Sequence, residues 1–141
     1  MEALNFGVCN KTYSVNGGAE ISFNPADINF ANSVYDLLQK LEERQKEKPP
    51  EDIMDIFKAA MVRDAQMRAD IDAVFGSGTC EKVFGTTNVF SPSGGIPLCM
   101  HFIMAVIDEI DAASEKETKF SPAVEAYMRK YESKYGKYAK K

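Results

Sequence analysis

Nucleophilic or metal chemistry in this chain would have to use a single histidine, His101, and three scattered cysteines, Cys9, Cys80 and Cys99. A Ser-His-Asp or Cys-His set needs a base within reach of its nucleophile. His101 is the sole candidate, and it precedes the apolar run Phe102-Ile103-Met104. Metal ligation from a helix favours His at i and i+4, or Glu-x-x-His, and neither spacing occurs. His101 therefore reads as a core or interface residue. The cysteines show no C-x-x-C spacing, and their odd number argues against a disulfide framework. Asp108, Glu109 and Asp111 form a carboxylate cluster without the glycine-containing Asp-rich loop of calcium sites, so they read as a solvated helix end. Gly17-Gly18, Gly76-Ser77-Gly78 and Gly94-Gly95 lack the Lys-Ser/Thr or GxGxxG context of a phosphate cradle and read as turns. No catalytic, cofactor-binding or metal residue is assigned.

Asp64 fits its surroundings least. Helical phase puts it at the centre of the stripe formed by Ile53, Phe57, Met67 and Ile71, and a charge in a core stripe needs a partner. Arg68 and Asp72 follow at one-turn intervals. The ladder Asp64-Arg68-Asp72 is expected as a structural ion pair rather than a binding site.

Charge is unevenly spread. The chain carries −4 in total, but six cations and one anion between Tyr127 and Lys141 give that end +5 and leave −9 on the rest. Tyr127, Tyr131, Tyr135 and Tyr138 recur there at helical spacing among the lysines. The pattern has three readings: a nucleic-acid segment, a docking face for a partner, or an ordinary amphipathic end. The acidic total argues against nucleic acid as the main ligand, because phosphate affinity rests on clustered cations. Partner binding is assigned to Tyr127, Tyr131 and Tyr135, together with Met100 and Met104 of a Met-rich middle.

The elements that would position these residues follow from periodicity. A composition of 45% hydrophobic and 27% charged residues over 141 positions is that of one globular domain. Residues 3–23 read as strands, with Leu4, Phe6 and Val8 alternating, then Tyr13 and Val15, then Ile21 and Phe23 after the turn Asn16-Gly17-Gly18, which predicts a β-hairpin or a small three-stranded meander. Asn24-Pro25-Ala26-Asp27 starts a helix expected over residues 25–46, capped by Asn24, whose all-polar end projects into solvent before Pro49-Pro50. A second helix is expected over 51–75, with Ile53, Phe57, Ala60, Met67, Ile71 and Val74 on one stripe. A short helix over 79–84 and a loop over 86–95 come next, then a helix over 97–114 that is apolar all round as far as Ile107. Ser121-Pro122 opens the last helix. Val74-Phe75-Gly76 and Val83-Phe84-Gly85 read as two helix ends, each docking a Phe before a glycine cap. The expected class is α+β, mostly α: a single domain of residues 1–141, with a β-hairpin region (1–24), a helical body (25–126) packed as a bundle of four to five helices, and a basic Tyr-rich end (127–141). The longest apolar stretch, 96–107, is shorter than the roughly 20 residues a bilayer needs. With no signal peptide evident in Met1-Glu2-Ala3-Leu4-Asn5 and unpaired cysteines, a cytoplasmic setting is expected.

The phrases Phe23-Asn24-Pro25-Ala26-Asp27-Ile28-Asn29-Phe30, Asp64-Ala65-Gln66-Met67-Arg68 with Ile71-Asp72-Ala73-Val74-Phe75-Gly76, Cys80-Glu81-Lys82-Val83-Phe84-Gly85, and the closing Lys130-Tyr131 and Lys134-Tyr135 stand out. Together they resemble tail assembly chaperones of tailed phages and prophages of Gram-positive bacteria. The resemblance implies a non-enzymatic protein that coats the apolar tape measure protein while tail tube subunits assemble, without entering the virion. It also implies a homo-oligomer and no cofactor. Two further expectations stand beside it: a minor structural tail component, and a nucleic-acid binding accessory protein using the basic end.

Overall fold

Asn16 and Gly17 take positive φ angles of 51° and 73°, as both central positions of a type I′ turn require. The Gly18 amide closes that turn on the Val15 carbonyl at 3.0 Å. In the computed structural model, which describes residues 1–8 and 10–118, the turn joins β1 (Lys11–Val15) to β2 (Ala19–Phe23), antiparallel, with Tyr13 opposite Ile21. Alternation gives the pair an inner face of Tyr13, Val15, Ile21 and Phe23, packed in or against the core. On the outer face the Thr12 and Ser22 hydroxyls share a hydrogen bond of 2.8 Å. The third strand of a meander is not formed. Leu4, Phe6 and Val8 lie in irregular chain, 90%, 82% and 60% exposed. No strand besides β2 pairs with β1 among the described residues, so this segment's alternation has no ladder to join. The Asn24 side-chain amide donates to the Val8 carbonyl at 2.8 Å and ties the segment down at its end.

Helix α1 (Ile28–Gln45) starts later than its periodicity suggests. Asn24 does not cap it. Its side chain accepts from the Ala26 amide at 3.0 Å and its carbonyl from Asp27 at 3.2 Å, forming a turn in which Pro25 is buried. Asp27 is the cap instead, accepting from the Asn29 amide at 3.1 Å. The polar end of α1 is exposed as expected at Glu42, Glu43 and from Gln45 to Lys48, but Arg44 turns inward, bridges Asp70 and donates to the Met67 Sδ at 3.2 Å.

Helix α2 (Ile53–Phe75) is capped by Asp52, which accepts from the Met54 amide at 3.2 Å, and ends at Gly76, where φ is 117°. Its expected stripe is buried only in part. Met67 and Ile71 are sealed in the core and Val74 packs against it, while Ile53 and Phe57 stay 62% and 58% exposed. The reason is geometric. Since α1 ends beside Met67 and Asp70, about 20 Å of α2 at 1.5 Å per residue has no helix across it among the described residues.

Helix α3 (Thr79–Phe84) and α4 (Leu98–Thr118) follow, with a miniature hairpin of β3 (Pro92–Ser93) and β4 (Ile96–Pro97) where an irregular loop was expected. Gly94 and Gly95 turn it with φ of 61° and 80°. The fold is thus α+β, an N-terminal two-stranded antiparallel hairpin followed by four helices among the described residues. At the centre lies α4, whose Cys99, Ile103, Val106, Ile107 and Ile110 pack with Val34, Leu37 and Leu41 of α1 and with Met67 and Ile71 of α2. Its apolar run is not buried all round. Positions 101, 104 and 105 fall on one helical face, and His101, Met104 and Ala105 are exposed there, so His101 is no core residue. Both Val-Phe-Gly phrases dock on Phe102, with Phe75 and Phe84 ring centroids at 5.0 and 5.7 Å. Cys9, the helix expected from Ser121, and Tyr127, Tyr131 and Tyr135 lie outside the described residues.

Candidate functional site

The hairpin's inner face is wider than the helices beneath it can fill. A groove of about 680 Å³, open along one side, separates it from α3 and α4. Val15 and Phe23 form one wall, Val83 and Phe84 the other, and Phe102 and Ala105 of α4 the floor. Tyr13 stacks on Phe23 at 4.5 Å, and the stack continues to Phe30 at 4.9 Å. Ser14, Asn16, Thr87, Ser93, His101 and Glu109 line the groove as well. The Tyr13 hydroxyl is shut off from water and closes no hydrogen bond of standard geometry. Burial first, then the charge and approach of Glu109, push this phenol above its ordinary value of 10.0. His101 Nε2 stands 2.8 Å from the Ser93 carbonyl oxygen, to which its N–H donates, pinning the miniature hairpin to α4.

The Asp64 and Arg68 side chains pair at 3.1 Å. Their remaining bonds reach off the helix. Asp64 accepts from the Val89 amide at 2.8 Å, and Arg68 donates to the Gly85 and Thr87 carbonyls at 2.8 and 2.7 Å. Asp72 stays out of the expected ladder. Its carboxylate accepts from the Cys80 amide at 2.9 Å and the Gly78 amide at 3.3 Å, covering backbone donors at the start of α3. Asn88 donates to the Ala60 carbonyl at 3.2 Å, and the Arg63 guanidinium lies 5.6 Å from the Phe90 ring centre. The stitched loop then serves α4: Leu98 and Cys99 amides donate to Ser91 and Val89 carbonyls, both at 2.9 Å. These charges hold the loop that positions α4, and through it one side of the groove.

Burial, more than any neighbour, pushes the Cys80 thiol up to about 12 and the Cys99 thiol up to about 11. Both are protonated, buried thiols at neutral pH. Among the described residues no cluster of three His, Cys, Asp or Glu side chains could hold a metal ion, and no helix is long and apolar enough to cross a membrane.

Of the residues expected to meet a partner, Met100 packs against the core and Met104 is exposed on α4. The structure adds two surfaces that periodicity did not reveal. One is the groove, whose signal was an inner hairpin face more apolar than a two-stranded ribbon needs. The other is the start of α2, where Ile53, Met54, Phe57 and Met61 stand in solvent. No curated protein and no solved structure matches the chain. A family model does match, over residues 17–141, from the hairpin turn onward, and the chain belongs to that family of unknown function, DUF6673.

Proposed function

We propose that this chain is a non-catalytic assembly factor that holds a segment of another polypeptide in the groove between the hairpin, α3 and α4. The observation carrying this reading is the groove's make-up: aromatic and aliphatic side chains from the hairpin, α3 and α4, with polar groups such as Asn16, His101 and Glu109 among them, and an open side. Concave, mostly apolar sites with a few fixed polar groups are built for binding. β1, which forms part of one wall, pairs with β2 alone in its sheet, so an extended segment entering the groove gains main-chain bonds as well as side-chain pockets. The resemblance of the capping and packing phrases to tail assembly chaperones supplies the partner class: the tape measure protein of a tailed phage, held before tail assembly.

Co-expression with the tape measure protein encoded nearby tests the proposal. Ala105 is exposed on the groove floor, so Ala105→Arg fills the site without disturbing the core. Co-purification with the intact chain, lost with Ala105→Arg, is the expected result. Equal co-purification by both, or by neither, contradicts it.

A further inference from the structure

We propose that residues 119–141 return antiparallel along α4 and dock on its open stripe, so that the chain's own basic end covers the groove floor until a partner displaces it. The docking surface is a bare face of α4. His101, Ala105, Asp108 and Ala112 recur at i, i+4, i+7 and i+11, which sets them in one line along the helix, and all four are exposed. Beyond the miniature hairpin that His101 holds, no element covers that line among the described residues. The small side chains of Ala105 and Ala112 let a second helix approach closely, and Ala105 is also part of the groove floor.

Spacing, reach and charge choose the occupant. Val124, Tyr127, Tyr131, Tyr135 and Tyr138 recur at i, i+3, i+7, i+11 and i+14, a stripe of the kind a helix buries. The stripe on α4 runs about 25 Å from Thr118 back to His101 at 1.5 Å per residue, and residues 122–141 span about 30 Å even as a helix. With residues 119–121 making the turn, Pro122 comes level with Thr118, Tyr127 with Ala112 and Ala113, and Tyr135 with Ala105. That register brackets Asp108 between Lys130 and Lys134. Both lysines fall on one flank of the tyrosine stripe, which an antiparallel return turns towards Asp108, while Glu132 falls on the other. Asp108 is exposed and has no ion-pair partner among the described residues. The wider charges agree, +5 from Tyr127 to Lys141 against −9 on the rest. Guarding of the groove rests on the groove being the binding site; the docking itself does not.

Disulfide trapping in the full chain tests the docking. In a Cys9→Ser background, where the remaining thiols Cys80 and Cys99 are buried, Ala105→Cys/Tyr135→Cys and Ala112→Cys/Tyr127→Cys should each close within one chain on mild oxidation. Both should close at least about tenfold faster than the mismatched pair Ala105→Cys/Tyr127→Cys, whose positions this register sets about 12 Å apart along the helix. Adding Lys130→Glu/Lys134→Glu should erase that preference. With the tape measure protein as probe, the same lysine variant should bind at least about threefold tighter, since a covered site lowers apparent affinity by its open fraction. Equal rates for all three pairs overturn the docking, and so does closure between chains instead of within one. Unchanged binding by the lysine variant overturns the guarding role. Absence of binding by every variant removes the groove reading and the guarding role together, while the trapped pairs still report the docking.

Discussion

The Asp64 carboxylate holds the Val89 amide at 2.8 Å while it pairs with Arg68 one turn along the same helix. One side chain thus neutralises a charge on α2 and fastens the loop that leads into α4. Asp64→Ala leaves both the amide and the guanidinium short of a partner. Breaking a well-buried pair from one side costs about 3–5 kcal/mol, and with both groups about a fifth exposed the expected loss is nearer 2–3 kcal/mol. Urea unfolding followed by circular dichroism checks it, and a loss below about 0.5 kcal/mol, the scatter of ordinary surface substitutions, would show that the clamp does not stabilise the fold.

Asp72 serves a different element, capping α3 through the Gly78 and Cys80 amides. Asp72→Ala is expected to cost about 1–2 kcal/mol, as loss of a cap does. In a double-mutant cycle with Arg68→Met, the coupling should stay below about 0.5 kcal/mol. Coupling well above 1 kcal/mol would restore the three-residue ladder that spacing alone suggests.

That contrast shows what the sequence could reveal. Helix existence was legible because apolar residues recur with helical period and Gly76 and Gly85 mark the stops. The Asp64–Arg68 pair was legible because both residues lie on one helix, where spacing is distance. Asp72 was misread because its partners come from the next element, which periodicity along α2 cannot register. Asn24 misled for a related reason: an Asn before Pro suits a cap and a turn equally well, and here the turn wins and passes the cap to Asp27. The exposed start of α2 was hidden because an apolar stripe shows only that a helix has something to bury, while the point where α1 stops sets how much of it is covered. His101 was read as core or interface, and its helical phase with Met104 and Ala105 puts it on the open face, which removes only the core half of that reading.

Phe102 receives Phe75 and Phe84, the two aromatic residues of the Val-Phe-Gly phrases. Phe102→Ala should therefore cost about 3–5 kcal/mol, in the range of large-to-small core substitutions. Phe102→Leu, which keeps most of the volume, should cost markedly less. Equal losses would mean that the site collapses around either residue and that the ring contacts add little.

The thiols give a pH signature. Cys80 and Cys99 ionise near 12 and 11 in the folded chain, above the ordinary value of 9.0. A raised acid favours the folded state fully below the unfolded value, and that contribution is lost as pH rises from about 9 towards 11–12. The urea midpoint should therefore fall between pH 8.5 and 10.5, roughly the span in which unfolded thiols ionise, and Cys80→Ala should make the fall shallower. A thiol reagent at pH 7.5 should leave both cysteines unmodified until the chain is unfolded; rapid labelling of either in the folded protein would contradict their burial.

The most direct test of the groove as a protein-binding site is calorimetric titration of the tape measure protein into the intact chain, Ala105→Arg and Phe57→Asp. Binding by the intact chain, weakened more than roughly tenfold by Ala105→Arg, is the predicted result, a loss on the scale of a central interface residue. Phe57→Asp, at an exposed position outside the groove, should bind as the intact chain does. Undiminished binding by Ala105→Arg would contradict the account.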